Sequence, residues 1–157
     1  YPPGRVVLYR PARTKAFDLF TAWIHHLVLC SLSGGAGAPG CYISRDGMVE
    51  FAPVENSSNV LGLLLEHYWE GMSRPLPFFP ETSFKYASPG RQEDESREEK
   101  LKRARGVWEG TKQYPGEGSD LAYRICFQGR DALDSEFEEI ASRLFEPLIR
   151  HRLRGGS

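Results

Sequence analysis

The segment from Leu61 to Pro80 constrains the fold of this chain more than any other part of the sequence. Its apolar side chains recur every three or four positions, which places them on one face of a helix: Leu61, Leu64, Leu65, Tyr68, Trp69 and Met72. Gly71 can end that helix, and prolines at positions 75, 77 and 80 prevent its continuation. Phe78 and Phe79 are then expected in a stiff, extended segment. The pattern favours packing and recognition over chemistry.

The composition indicates one globular domain without strong net charge. With 157 residues and 40% hydrophobic side chains, the chain can bury a substantial core. Its 20 basic and 21 acidic side chains leave a net charge of −1, so the average field gives no attraction to nucleic acid or to a membrane. The chain begins with Tyr1 and shows no signal segment, so we expect a piece of a longer cytoplasmic polypeptide.

Few segments have the pattern of β-strands. Residues 6–10 and 123–127 are short apolar runs that predict buried strands. Residues 41–51 predict a β-hairpin, because Asp46-Gly47 stands between two apolar runs and favours a tight turn. Residues 33–40 and 110–120 are expected to form loops, and residues 88–100 are expected to form an exposed loop or a frayed helix.

Helices dominate the rest of the sequence. Thr14 can cap a helix with this apolar stripe: Phe17, Phe20, Trp23, Ile24, Leu27 and Val28. Ser135 and Glu138 form a capping box at the start of a long amphipathic helix. The sequence therefore predicts a mixed α/β or α+β class that is rich in helix and has few strands.

No arrangement of residues in the sequence predicts catalysis. A nuclease of the PD-(D/E)xK type needs an acid-x-Lys motif on a strand, beside an Asp, so that carboxylates can hold a metal ion. The literal match, Glu98-Glu99-Lys100, falls in a charge-dense helical segment, where a solvated helix face with internal ion pairs is the stronger interpretation. The four histidines and three cysteines match no metal-ligand spacing. We therefore expect no catalytic residue, no metal site and no cofactor.

A basic cluster in the same segment is a candidate contact for DNA phosphates. It consists of four side chains: Lys100, Lys102, Arg103 and Arg105. The ordinary explanation is that these cations pair with the acidic residues at positions 93–95, 98 and 99.

Segments spread over nearly the whole chain match one family in the same order. They include Leu8-Tyr9-Arg10-Pro11-Ala12, Tyr68-Trp69-Glu70-Gly71-Met72, Pro75-Leu76-Pro77-Phe78-Phe79-Pro80, Trp108-Glu109-Gly110, Phe127-Gln128-Gly129-Arg130 and Phe145-Glu146-Pro147-Leu148. On these segments the sequence resembles the C-terminal domain family of RecC, the gamma chain of exodeoxyribonuclease V (the RecBCD complex). Residues 68–72 and 75–80 together form the block that is most specific to this family, here called the specific block.

The resemblance implies both a fold and a role. It implies a degenerate restriction-endonuclease-like (PD-(D/E)xK-like) core without catalytic residues over residues 1–151, followed by a flexible tail at 152–157. It also implies a non-catalytic scaffold that helps to hold the RecB and RecD subunits together, docks RecD and lies near unwound DNA in double-strand-break repair, with no membrane contact. The alternatives are an active metal-dependent nuclease, using Glu98 and Lys100, and a single-strand DNA-binding module.

Residues in and near the specific block are the candidate partner contacts: Trp69, Pro77, Phe78, Phe79 and Phe84. Interface hot spots favour aromatic side chains in desolvated pockets. The alternative is that Phe78 and Phe79 fill the domain's own core. Replacing both by alanine would abolish RecD binding with little change in thermal stability in the first case, and would lower thermal stability in the second.

Overall fold

The computed structural model describes residues 4–34, 39–90 and 95–153. These residues form six α-helices, a short 3-10 helix and a four-stranded sheet, so the class is mixed α+β and rich in helix. The chain divides into two compact units: the first contains the described residues up to Trp69 and from Pro147 onward, and the second contains Glu70–Glu146. None of the described helices has the length and apolar character needed to cross a bilayer. The expected loop residues 35–38 and 91–94 lie outside the described residues.

The first unit is built on the sheet, whose strands lie in the order β1-β2-β3-β4. The strands are β1 (Val7–Tyr9), β2 (Gly40–Ser44), β3 (Gly47–Phe51) and β4 (Arg152–Leu153). Helix α1 (Ala16–Leu32) connects β1 to its parallel neighbour β2, whereas the other two pairings are antiparallel. The hairpin prediction is confirmed: Ser44 pairs with Gly47, whose φ of 123° only glycine adopts without strain.

The last described residues complete this sheet. Arg152 and Leu153 pair with Phe51 and Glu50, so these two residues are not part of a flexible tail as expected. The physical reason is that β3 would otherwise leave its edge N–H and C=O groups without an antiparallel neighbour. The expected tail residues 154–157 lie outside the described part of the chain.

Helix α1 buries only part of the predicted stripe: Trp23 and Leu27 are fully buried as predicted, but the ends of the stripe are not. Phe17 is 62% exposed and Val28 is 42% exposed, whereas the buried positions are Ala16, Leu19, Ala22, Trp23, His26, Leu27 and Cys30. The prediction was wrong at Phe17 and Val28 because small residues and a histidine on the core side do not register as an apolar stripe. Lys15 precedes the helix without a side-chain cap, so the expected cap at Thr14 is also wrong.

His26 is the polar centre of this core. Its ring lies 5.8 Å from the ring of Phe51, and its Nε2 lies 2.9 Å from the carbonyl oxygen of Ala52. A Cβ atom on Gly40 would come within 2.6 Å of the His26 ring, so only glycine fits beside it. Burial lowers the pKa of His26, although the Ala52 carbonyl opposes the shift.

Five more helices complete the fold. They are α2 (Ser57–Ser73), α3 (Pro80–Ala87), α4 (Arg97–Glu109), α5 (Leu121–Cys126) and α6 (Ser135–His151), with the 3-10 helix at Glu117–Ser119. Helix α2 continues through Gly71 instead of ending there. Asp134, not Ser135, caps α6, because its carboxylate accepts a hydrogen bond from the Phe137 N–H at 3.0 Å.

The expected buried strand at residues 123–127 is wrong. These residues lie in and just after α5, where Ile125 is 66% exposed. Asp120 starts this helix by accepting a hydrogen bond from the Ala122 N–H at 2.8 Å. A five-residue apolar run does not distinguish a strand from a short helix by its period, and here the cap decides the outcome.

Candidate functional site

Phe79 lies at the centre of the core of the second unit. Its side chain is fully buried, and its ring centroid lies 4.3 Å from that of Trp108, 4.9 Å from that of Tyr123 and 5.1 Å from that of Phe127. The ring of Phe137 stacks on it at 6.0 Å. Phe79 therefore fills the unit's own core, and its side chain offers no surface to a partner.

Three further candidate contacts lie between Pro75 and Pro80 or in α3: Pro77, Phe78 and Phe84. Pro77 is fully buried, whereas Phe78 and Phe84 are half-buried. Both phenylalanine rings contact Phe145, at centroid distances of 5.8 Å and 5.4 Å. Of these three candidate contacts, Phe78 and Phe84 therefore keep a part of their surface for a partner.

Helix α2 exposes the apolar face that its spacing predicts. Leu65, Tyr68 and Trp69 are 56%, 57% and 65% exposed, and Met72, one turn further along the same helix, is 67% exposed. The rings of Tyr68 and Trp69 meet edge to face at 5.6 Å. These four residues, here called the α2 face, form an exposed apolar stripe. The sequence predicted the stripe but not its exposure, because spacing alone does not distinguish core from surface.

Two of the four cations in the basic cluster on α4 already bond groups of the second unit. The Arg103 guanidinium contacts both carboxylate oxygens of Glu95, at 2.5 and 2.6 Å, and donates to the carbonyl oxygens of Lys85 and Ser88. It therefore ties α4 to the end of α3. Arg105 pairs with Asp131 at 3.1 Å. Of the four predicted DNA contacts, Lys102 is exposed and Lys100 is half-buried.

A second charged group joins α4 to α6. Glu138 accepts hydrogen bonds from both Nε and Nη2 of Arg97 and from the Tyr86 hydroxyl, the last at 2.9 Å. Burial and the Glu138 hydrogen bond raise the pKa of Tyr86 to about 12. The Arg97 hydrogen bonds hold the pKa of Glu138 below its ordinary value. Glu138 thus links α6 to both α3 and α4, and it does not form the expected capping box with Ser135.

The acid-x-Lys motif lies at the start of α4, not on a strand. Glu99 has a structural role there, because its carboxylate accepts from the Ser96 N–H at 2.9 Å while the Ser96 hydroxyl accepts from the Glu99 N–H. Glu98 is exposed. Over residues 4–34, 39–90 and 95–153, no three acidic, His or Cys side chains lie close enough together to hold a metal ion.

One group of candidate residues escaped the sequence analysis. Arg124, Phe127 and Arg130 line a groove beside α5, and the first two lie in the segment 123–127 for which a buried strand was expected. Asp120 could have revealed the helix, because aspartate is a favoured cap residue and the Ala122 N–H is two positions away. A helix would have placed Arg124 on the surface.

Comparison with known proteins finds sequence similarity to one family. A model of the RecC C-terminal domain matches residues 3–91. The RecBCD enzyme subunit RecC of Escherichia coli (strain K12) is 30% identical over 159 aligned residues, which cover 94% of this chain. The chain spans only 14% of the length of that relative.

Proposed function

The chain belongs to the RecC C-terminal domain family, and from this we propose that it is a non-catalytic docking domain of a RecBCD-type helicase-nuclease. In this role it binds the RecD subunit, helps to hold RecB and RecD in one cytoplasmic complex, and lies near unwound DNA during double-strand-break repair. The E. coli relative is a subunit of the RecBCD enzyme, which supports this placement.

The α2 face is the observation that carries the proposal. Four large apolar side chains stand exposed along one side of a helix of 17 residues. An exposed apolar stripe of this kind marks a protein-binding surface more often than a free surface. Trp69 and Tyr68 belong to the residue types that dominate interface energetics, so we assign the main docking contact to them.

We further propose that the sheet is the remnant of a restriction-endonuclease-like core. Its mixed sheet, with a helical crossover between β1 and β2 and a hairpin after it, supports a nuclease-derived origin. The non-catalytic role is supported by the location of Glu98 and Lys100 on α4 and by the use of Glu99 in a helix cap.

The docking proposal is tested by removing the rings of the α2 face. In the intact protein, Tyr68→Ala with Trp69→Ala should abolish co-purification of the RecD subunit and leave the melting temperature nearly unchanged, because both side chains are exposed. The matched control is Phe17→Ala with Tyr114→Ala, which removes two exposed rings elsewhere and should retain RecD. Retention of RecD by the α2 variant, or its loss from the control, would contradict the proposal.

The non-catalytic role has its own test. The purified chain is incubated with linear DNA and Mg²⁺, and no cleavage above background is expected. Reproducible cleavage that disappears with Lys100→Ala would instead identify an active nuclease.

A further inference from the structure

A groove of about 460 Å³ lies beside α5 in the second unit. Its walls come from α5, from residues 127–132, from Gly118 and from the Trp108 side chain on α4. Ligand pockets typically measure about 300–1,000 Å³, so this groove has room for several side chains but not for a folded domain. The α2 face shares no residue with the groove, so the docking proposal leaves the groove without a role.

The groove carries two arginines whose charge is not neutralised within the described residues. Neither Arg124 nor Arg130 forms an ion pair with a carboxylate in that part of the chain. Both side chains are exposed. The Arg130 guanidinium lies 4.5 Å from the centroid of the Phe127 ring, and this contact holds it in place.

Three acids close to the groove in sequence already have partners. Asp131 pairs with Arg105 at 3.1 Å, and Asp120 accepts a hydrogen bond from the Ala122 N–H at 2.8 Å. Glu117 accepts hydrogen bonds from two backbone N–H groups at the start of α3, at 3.2 and 2.8 Å. The two guanidinium groups of the groove therefore remain available to an anion from outside the chain.

The exposed apolar surface of the groove is aliphatic. Leu121 and Ile125 are 68% and 66% exposed and line the groove on either side of Arg124 in sequence. Because they are four positions apart on α5, they lie on the same side of the helix. Aliphatic side chains pack well against other aliphatic side chains, so this surface favours a protein ligand.

The aromatic rings of the groove are committed to the second unit's own core. The centroids of Trp108 and Tyr123 lie 4.3 and 4.9 Å from that of Phe79. A Cβ atom on Gly118 would come within 2.4 Å of the Trp108 ring, so the backbone at Gly118 already covers part of the indole. These rings form a fixed wall, which is what a peptide side chain needs as a packing surface.

We propose that this groove binds an acidic peptide segment of a further protein, with carboxylates on Arg124 and Arg130 and aliphatic side chains on Leu121 and Ile125. Arginine forks bind carboxylates through paired, charge-assisted hydrogen bonds, and clusters of arginines are a common means of recognising acidic motifs. The groove thus recognises the combination of negative charge and aliphatic side chains. The inference goes beyond the docking of RecD, because it assigns a second partner to a separate surface.

A synthetic peptide tests the site in the intact protein with its partner subunits. The probe is a fluorescent peptide of repeated Asp-Asp-Leu triplets in which one leucine is replaced by photo-leucine. Its binding is followed by fluorescence anisotropy, and its cross-links are mapped by mass spectrometry. Cross-links are expected on the fragment that contains Leu121 and Ile125.

Two groove variants separate the charged contacts from the apolar ones. Arg124→Gln with Arg130→Gln should weaken peptide binding about ten-fold, because two charge-assisted contacts are lost. Leu121→Gln with Ile125→Gln should weaken it about five-fold, because apolar surface is no longer removed from water. All four side chains are exposed, so neither variant should change the melting temperature.

A charge-matched variant and two altered peptides provide the controls. Lys102→Gln with Arg143→Gln removes two exposed cations that do not line the groove and should leave binding unchanged. A peptide with asparagine in place of aspartate should not bind, and one with serine in place of leucine should bind more weakly. The proposal is wrong if the control variant weakens binding equally, if the serine peptide binds as tightly as the probe, or if cross-links map only to other segments.

Two further outcomes would also overturn the proposal. If an oligothymidine strand displaces the peptide and cross-links to the same fragment, the groove is a nucleic-acid site. If the Arg124→Gln, Arg130→Gln variant loses RecD, the groove belongs to the docking surface. The α2 variant should still bind the peptide, so failure of the groove assignment is distinguishable from failure of the docking proposal.

Discussion

Replacing Phe79 by alanine should be one of the most destabilising changes in the second unit. The side chain is fully buried and touches four aromatic rings, three of them at centroid distances of 4.3 to 5.1 Å. A buried Phe→Ala replacement costs about 3–5 kcal/mol, and the close ring contacts place this site toward the upper end. At about 2–4 °C per kcal/mol for a chain of this size, the melting temperature should fall by roughly 6–20 °C.

The measurement is urea unfolding followed by the fluorescence of Trp108, the ring nearest to Phe79, with amide hydrogen exchange on α4 to localise the change. Phe78→Ala is the matched control. This half-buried ring stacks on Phe145, so its loss should cost only about 1–2 kcal/mol. Equal losses for the two variants, or a loss below about 2 kcal/mol for Phe79→Ala, would refute the reasoning from burial. The double replacement of both phenylalanines therefore reports on the core, and Phe78→Ala alone reports on a partner contact.

Three further perturbations have defined outcomes. Burial lowers the pKa of His26 in the folded state, so the unfolded state binds the proton first as the pH falls. The free energy of unfolding should therefore fall as the pH drops below about 6.5. His26→Gln should remove this pH dependence between pH 7.5 and 5.5, whereas His25→Gln, at the exposed neighbouring position, should keep it. Glu138→Gln should lower the pKa of Tyr86 from about 12, because the carboxylate acceptor is lost while the hydroxyl stays buried. Absorbance titration near 295 nm should detect this change in pKa. An unchanged pKa would assign the whole shift to burial. Gly118→Ala should lower the melting temperature and redden the tryptophan emission, since the new methyl group would displace the adjacent indole; an unchanged spectrum would contradict the close approach.

Features with a local cause could be predicted from the sequence. The hairpin followed from Asp46-Gly47 because a two-residue turn fixes its own strands. The helix over the stripe from Leu61 to Met72 followed from helical spacing. The turn dipeptide and the apolar spacing each act over a few neighbouring positions, so these two predictions needed no tertiary information.

Features decided by distant contacts could not be predicted in this way. The buried face of α1 depends on His26, whose ring is satisfied by a carbonyl on another element. The α2 stripe and the ring of Phe79 have the same apolar character in sequence, yet one is exposed and the other is fully buried. The role of Arg103 depends on Glu95 and on carbonyl oxygens at the end of α3, and a charge count does not reveal that geometry.

The sheet of the first unit has a consequence for biosynthesis. Because β4 is the last described strand and pairs with β3, the ribosome delivers the whole second unit before the sheet acquires its final strand. Until Leu153 emerges, the nascent chain carries an open strand edge that can recruit the wrong neighbour. Translation that stops between the two strands would therefore release a product prone to self-association, even with its helical half already folded.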